Sequence, residues 1–139
     1  MRAAAGTLAA AAAALALAAC GAAYDDPQAF VDAANAEGAG FELGPSLDTT
    51  NPDNRIYAIT VRGALDPHEG AEPGQASLGG GSITVTPSED EARAEYEECE
   101  GAVSLLCYRA GNVALMLENE IDPGVRERVD AAISALASN

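Results

Sequence analysis

Hydrophobic and polar residues alternate along this chain in two distinct rhythms. Three stretches carry the period of a helix. Asp26-Pro27 pairs a capping acid with a proline at a first helical position, Phe30, Ala33 and Ala34 then share one face, and Gly38 offers a stop. After Pro87, the run Ser88-Glu89-Asp90-Glu91 forms a capping box with acids in the first turn, followed by a narrow apolar face of Ala92, Tyr96 and Cys99. Asp122-Pro123 opens the most periodic segment, where Val125, Val129, Ala132, Ile133 and Leu136 line one face and Arg126, Arg128 and Asp130 turn away.

Between these lie segments of period two, rich in β-forming residues. Residues 55–62 put Tyr57, Ile59 and Val61 on one face, and residues 82–86 put Ile83 and Val85 inward. Residues 103–108 and 113–117 flank Arg109-Ala110-Gly111-Asn112 and predict a hairpin of two buried strands, since Gly and Asn suit the turn. Phe41-Glu42-Leu43 adds a short edge strand, while 44–54 and 64–81 are Gly-, Pro- and Asp-rich loops. The order of elements predicts an α+β two-layer sandwich, with a mainly antiparallel sheet of four to five strands and helices packed on one face.

The first nineteen residues obey neither rhythm. Met1-Arg2 supplies one positive charge, and an Ala/Leu run too short to span a bilayer ends in Leu17-Ala18-Ala19-Cys20-Gly21. An aliphatic residue, two small ones and a cysteine make Leu17–Cys20 resemble the lipobox of bacterial lipoproteins. The resemblance covers residues 1–21 and implies cleavage before Cys20, a diacylglyceryl thioether on its sulfur and acylation of the new amine. It also implies that Gly21, standing where aspartate would retain a lipoprotein at the inner membrane of a Gram-negative cell, permits an outer-membrane destination. Expected divisions are a signal at 1–19, a lipidated cysteine and tether at 20–25, and one small domain at 26–139. A tether of about five residues holds the domain within about 20 Å of the headgroups.

Cleavage takes nineteen residues from 139 and leaves 120, enough for one core without a metal. It removes one of seven arginines and no acid, so 6 positive side chains face 22 negative ones and the balance is −16. Such a surface repels phosphate backbones, which argues against nucleic acid as a partner. With no tryptophan and few aromatics, the core rests on aliphatic residues and gains from a cross-link.

Once Cys20 carries lipid, Cys99 and Cys107 remain, and an even pair in an exported domain predicts a disulfide worth about 2–3 kcal/mol. The single histidine, His68, sits in a Pro/Gly loop with Asp66, Glu69 and Glu72, a workable but loosely held metal set. Gly79-Gly80-Gly81 lacks the lysine and helix of a phosphate loop and reads instead as a tight entry of the chain into the sheet. The acids of residues 89–100 lack a calcium-loop pattern and read as a solvated face. No coherent catalytic set and no cofactor motif stand out. The expectation is a lipid-anchored, non-catalytic binding or structural module, with the membrane and an envelope protein as partners. Its alternatives are a small-ligand or cation-binding lipoprotein and a small hydrolase.

Overall fold

Each helix starts where a side-chain oxygen satisfies the first free amides. In the computed structural model, which describes residues 23–48, 50, 55–63, 80–118 and 121–138, the Asp26 carboxylate accepts from the Ala29 amide at 2.7 Å and opens α1 (Pro27–Ala36). Ser88 Oγ accepts from Glu91 N at 3.2 Å and opens α2 (Glu89–Glu100). Asp122 accepts from the amides of Gly124 and Val125 at 2.9 and 3.2 Å and opens α3 (Pro123–Ala137). α1 stops as read: Gly38 turns the chain at φ +93°, a conformation open to glycine at little cost.

Five strands form one antiparallel sheet in the order β1-β2-β3-β5-β4. They are β1 (Phe41–Ser46), β2 (Ile56–Val61), β3 (Gly80–Val85), β4 (Leu105–Ala110) and β5 (Val113–Glu118). β5 inserts between β3 and β4, which therefore run parallel to each other, joined by α2 in a split β-α-β unit.

The register gathers most of the large apolar strand side chains on one face, while Ile56, Leu105 and Met116 fall on the other. Phe41 lies opposite Val61, Leu43 opposite Ile59, Tyr57 opposite Ile83, and Ile83 opposite Leu115. α1 and α3 cover this face, and Phe30, Val31, Ala34, Val129, Ala132 and Ile133 join the strand residues in one buried cluster. Tyr24 meets Phe30 edge-on at 5.3 Å and Phe30 stacks on Phe41 at 6.4 Å, so both phenylalanines of the chain sit in one corner of the core.

The α+β sandwich with an antiparallel sheet is thus as expected, but the helices are not all on one face. Cys107 and Tyr108 are neighbours in β4 and point to opposite faces, and Cys107 is bonded to α2 while Tyr108 is bonded to α3. α2 therefore lies on the second face, against β4 and β5, where Ala92, Cys99 and Ala114 are buried outside the main cluster. A crossover between parallel strands has to pass over one face of the sheet, and α1 and α3 already fill the other.

Three local readings also shift. β1 continues through Gly44-Pro45 to Ser46 across an irregularity in its pairing, and β3 begins at Gly80 within the glycine run. A Cβ on Gly81 would lie 1.8 Å from the Met116 carbonyl oxygen, so only glycine lets β3 and β5 come this close. The β4–β5 connection is two residues rather than four, because Gly111 at φ +55° and Asn112 close a turn that matches the twist of the strands.

Candidate functional site

The sequence-derived candidates divide between the described residues and the rest. Cys99 and Cys107 are joined, with Cα atoms 5.9 Å apart, fastening the end of α2 to the middle of β4. Cys20 and the set Asp66, His68, Glu69 and Glu72 lie outside the described residues. Among the described residues no group of three or more His, Cys, Asp or Glu is gathered as a metal ion would require, and no helix is long and apolar enough to cross a membrane.

What the structure does assemble is a groove along the free edge of β4. Read as a buried strand, β4 is half-buried except at Ala110, because it ends the sheet while β5 is enclosed on both sides. In a hairpin closed by two residues, the residues flanking the turn exchange both backbone hydrogen bonds. Ala110, Tyr108 and Leu106 accordingly bond to Val113, Leu115 and Leu117, and Leu105, Cys107 and Arg109 aim their N–H and C=O groups outward.

Two helices wall this edge. A cavity of about 480 Å³ spans Leu105 to Tyr108, bounded by Glu100 of α2 and by Arg126 and Asp130 of α3. A second, of about 400 Å³, continues past Arg109 between Tyr96 on one side and Ile133, Ser134 and Ala137 on the other. The two share Cys107, Tyr108 and Asp130, so they run end to end along the strand.

Polar contacts hold the walls in place. The Tyr108 hydroxyl donates to Asp130 at 2.6 Å, tying β4 to α3, and the Tyr96 hydroxyl donates to Glu100 at 2.5 Å along α2. Burial pushes the Tyr108 phenol well above its ordinary range, and its bond to Asp130 adds to the shift. Tyr96 is raised chiefly by its bond to Glu100. Both phenols thus stay protonated at neutral pH and act as donors, a chemistry that orients and binds.

Sequence reasoning found the strand and missed the groove. Asp130 and Arg126 occupy positions that a helical projection turns to solvent, and nothing local says that Tyr108 will reach α3 across 22 residues. The one available signal was Tyr96, an aromatic on an otherwise small apolar face.

No family model, no curated protein and no solved structure matches this chain.

The opposite edge of the sheet is built differently. On β1 the outward backbone groups of Phe41 are both taken by the Asn35 side chain, whose Nδ2 donates to Phe41 O at 2.9 Å and whose Oδ1 accepts from Phe41 N at 2.7 Å. Two residues further on the strand is irregular between Leu43 and Ser46, and Pro45 has no N–H to offer. Among the described residues, one edge is closed to pairing and the other is left open.

Proposed function

We propose that this chain is a lipid-anchored, non-catalytic binding module of the bacterial cell envelope, docking a protein partner on the open edge of β4. The observation that carries the binding half is the contrast between the two edges. Exposed edges are aggregation hazards that folded proteins ordinarily blunt, and here β1 is blunted while β4, with three outward residues in a continuous register, is left unpaired by the described residues. An edge open in this way is a template for main-chain pairing with an extended segment.

The anchor half rests on Leu17-Ala18-Ala19-Cys20 and is supported by how soon the fold begins. Asn112 bonds the Tyr24 backbone from both sides, accepting from Tyr24 N at 2.7 Å and donating to Tyr24 O at 2.9 Å. Only Gly21, Ala22 and Ala23 separate Cys20 from that clamp. Four residue steps at ~3.5 Å reach about 14 Å, so the module is held against the face of the membrane from which it is displayed. Two or more acyl chains make such an anchor stable, where a single chain is marginal. The destination is the outer side of the cytoplasmic membrane or the outer membrane.

Metabolic labelling with palmitate, combined with membrane fractionation, tests the anchor. The native chain takes up label and sediments with membranes, and globomycin blocks its maturation. Unchanged processing under globomycin, or equal membrane retention of Cys20→Ser, removes the anchor. Photo-crosslinking from an unnatural residue at position 109 and, as control, at position 42 tests the docking edge. The same envelope protein captured from 109 and not from 42 supports it, and equal capture at both positions counts against it.

A further inference from the structure

We infer that the occupant of the β4 edge is an extended, basic segment of a partner protein, which adds as a sixth strand with its positive side chains against α2. This deepens the docking reading above and rests on it.

The edge fixes the conformation of the ligand. Leu105, Cys107 and Arg109 present N–H and C=O in alternation, and among the described residues nothing pairs with them. A strand laid there receives the hydrogen bonds that β5 supplies on the inner side, and its side chains then point alternately toward α2 and α3. The cavities flanking β4 are open along its length and bounded by both helices, which leaves room for side chains on each side of the added backbone.

The two walls ask for different residues. On the α3 side stand the Tyr108 ring, Leu106, Ile133 and Ala137, with Asp130 taken by the Tyr108 hydroxyl and the Arg126 cation beside that pair, so that the described lining there offers no unpaired acid to a basic residue. That side favours small or branched apolar side chains. On the other side runs α2, in which Glu89, Asp90, Glu91, Glu95, Glu97, Glu98 and Glu100 outnumber Arg93 on the helix itself and Arg109, which reaches the Tyr96 turn from β4. With a Debye length of about 8 Å in physiological salt, the acids nearest the cavity lining act most strongly on the edge: Glu100, which lines the groove, and Glu95 and Glu97 beside Tyr96. The C-terminal end of the α2 dipole, where the last turn carries no basic side chain, adds to that negative field.

Charge also decides against the most obvious alternative, a second copy pairing β4 with β4. Each mature chain carries −16, and a continuous sheet would bring two α2 helices to the same seam. Like charge held that close suppresses self-association, whereas an oppositely charged segment gains both encounter rate and affinity.

The test uses residues 20–139 with Cys20→Ser, which contain every element of the sheet and its core, labelled with ¹⁵N. The probes are capped peptides of about eight residues: alternating lysine and valine, alternating glutamate and valine, and the lysine peptide with one central valine replaced by proline. The lysine–valine peptide is expected to slow amide exchange at Cys107 and Arg109 roughly tenfold or more, leaving Leu106 and Tyr108, already bonded to β5, unchanged. Its affinity should exceed that of the glutamate peptide by roughly tenfold and fall as salt rises.

The proline peptide and the Arg109→Pro variant should both abolish protection. In Arg109→Pro the missing N–H is an outward one, so the β4–β5 ladder is spared. If that variant does not fold, the proline peptide on the native sequence carries the same comparison. Equal protection by the glutamate peptide overturns the basic segment and leaves edge docking standing. Equal binding of the proline peptide means surface attraction without strand addition and overturns this inference. Protection of the same amides by concentration alone, with dimers in sedimentation, makes a second copy the occupant. Absence of protection with every probe sinks the edge as a docking site altogether.

Discussion

Asn112 and Tyr24 lie 88 residues apart in the chain and meet through both backbone groups of the tyrosine, at 2.7 and 2.9 Å. The same carboxamide donates to Thr86 O at 2.8 Å, and the Asn112 carbonyl accepts from Thr86 N and Oγ1, each at 2.8 Å. One buried side chain thus fastens the first residues of the fold to the hairpin turn and to the chain leaving β3. Arg55 reinforces the junction by donating to the Asp25 carbonyl.

Asn112→Ala leaves three backbone groups without that partner, Thr86 O in a buried place and Tyr24 N and O in a half-buried one, and buried unmade hydrogen bonds cost about 1–3 kcal/mol. We expect a loss of about 2 kcal/mol in denaturant unfolding and faster amide exchange at Tyr24. A Tyr24 amide that exchanges at the native rate in the variant would show that the clamp does not hold the tether.

Gly81→Ala places a methyl carbon 1.8 Å from the Met116 carbonyl oxygen and 2.9 Å from the Leu117 Cα. Both are backbone atoms, so the strands themselves must move apart. Overpacking of this kind costs about 1–3 kcal/mol, and chemical denaturation should report the upper part of that range. Gly101→Ala, where the nearest atom lies 3.3 Å away and φ is −70°, should cost much less.

The Tyr108–Asp130 bond makes stability depend on alkaline pH. Folding raises the phenol above its ordinary value of 10.0, mainly through burial and then through the hydrogen bond. A raised phenol favours folding fully below pH 10, and that contribution is lost as pH climbs from 10 toward the folded value. Melting temperature should therefore fall above pH 10, and Tyr108→Phe should show a shallower fall together with a loss of about 1 kcal/mol at neutral pH. An identical alkaline slope in the variant would shift the effect to Tyr24 and Tyr96, which are raised as well.

The Cys99–Cys107 bond closes a loop of eight residues between α2 and β4. The intact mass of the mature chain should be two hydrogens short of the dithiol, and no thiol should alkylate without reductant. Replacing both cysteines by serine should cost about 2–3 kcal/mol in the chain-entropy description. Because the bond fastens the α2 wall of the β4 groove, the reduced protein should also protect Cys107 and Arg109 amides less well in the peptide titration.

Capping and periodicity were legible because they are local. Asp26, Ser88 and Asp122 each reach an amide two or three residues ahead, and the α3 face of Val125, Val129, Ala132, Ile133 and Leu136 is buried throughout. The inward sets Tyr57-Ile59-Val61 and Ile83-Val85 followed from alternation alone, and so did the pairing of β4 with β5 through a tight turn.

Other properties needed partners far away in the chain. Arg128, read as turned to solvent, donates from α3 to Ala39 O at 3.2 Å and to Arg62 O at 2.7 Å and locks α3 over the β1–β2 corner. Asp130 on the same outward face receives Tyr108. A projection of one helix cannot show these contacts, because the neighbour that turns a solvent position into a flank is a strand elsewhere.

The chain's own residue pattern determined its elements, their caps, the inward faces of its strands and the pairing of its two late cysteines, since each depends on residues close together or on parity along one segment. Which strands would end the sheet, which edge Asn35 and Pro45 would close, and which face α2 would cover were decided only when β5 inserted between β3 and β4. Backbone hydrogen bonding is indifferent to side-chain identity, so strand order is set by how all the apolar faces are covered at once, and no local stretch of sequence carries that information.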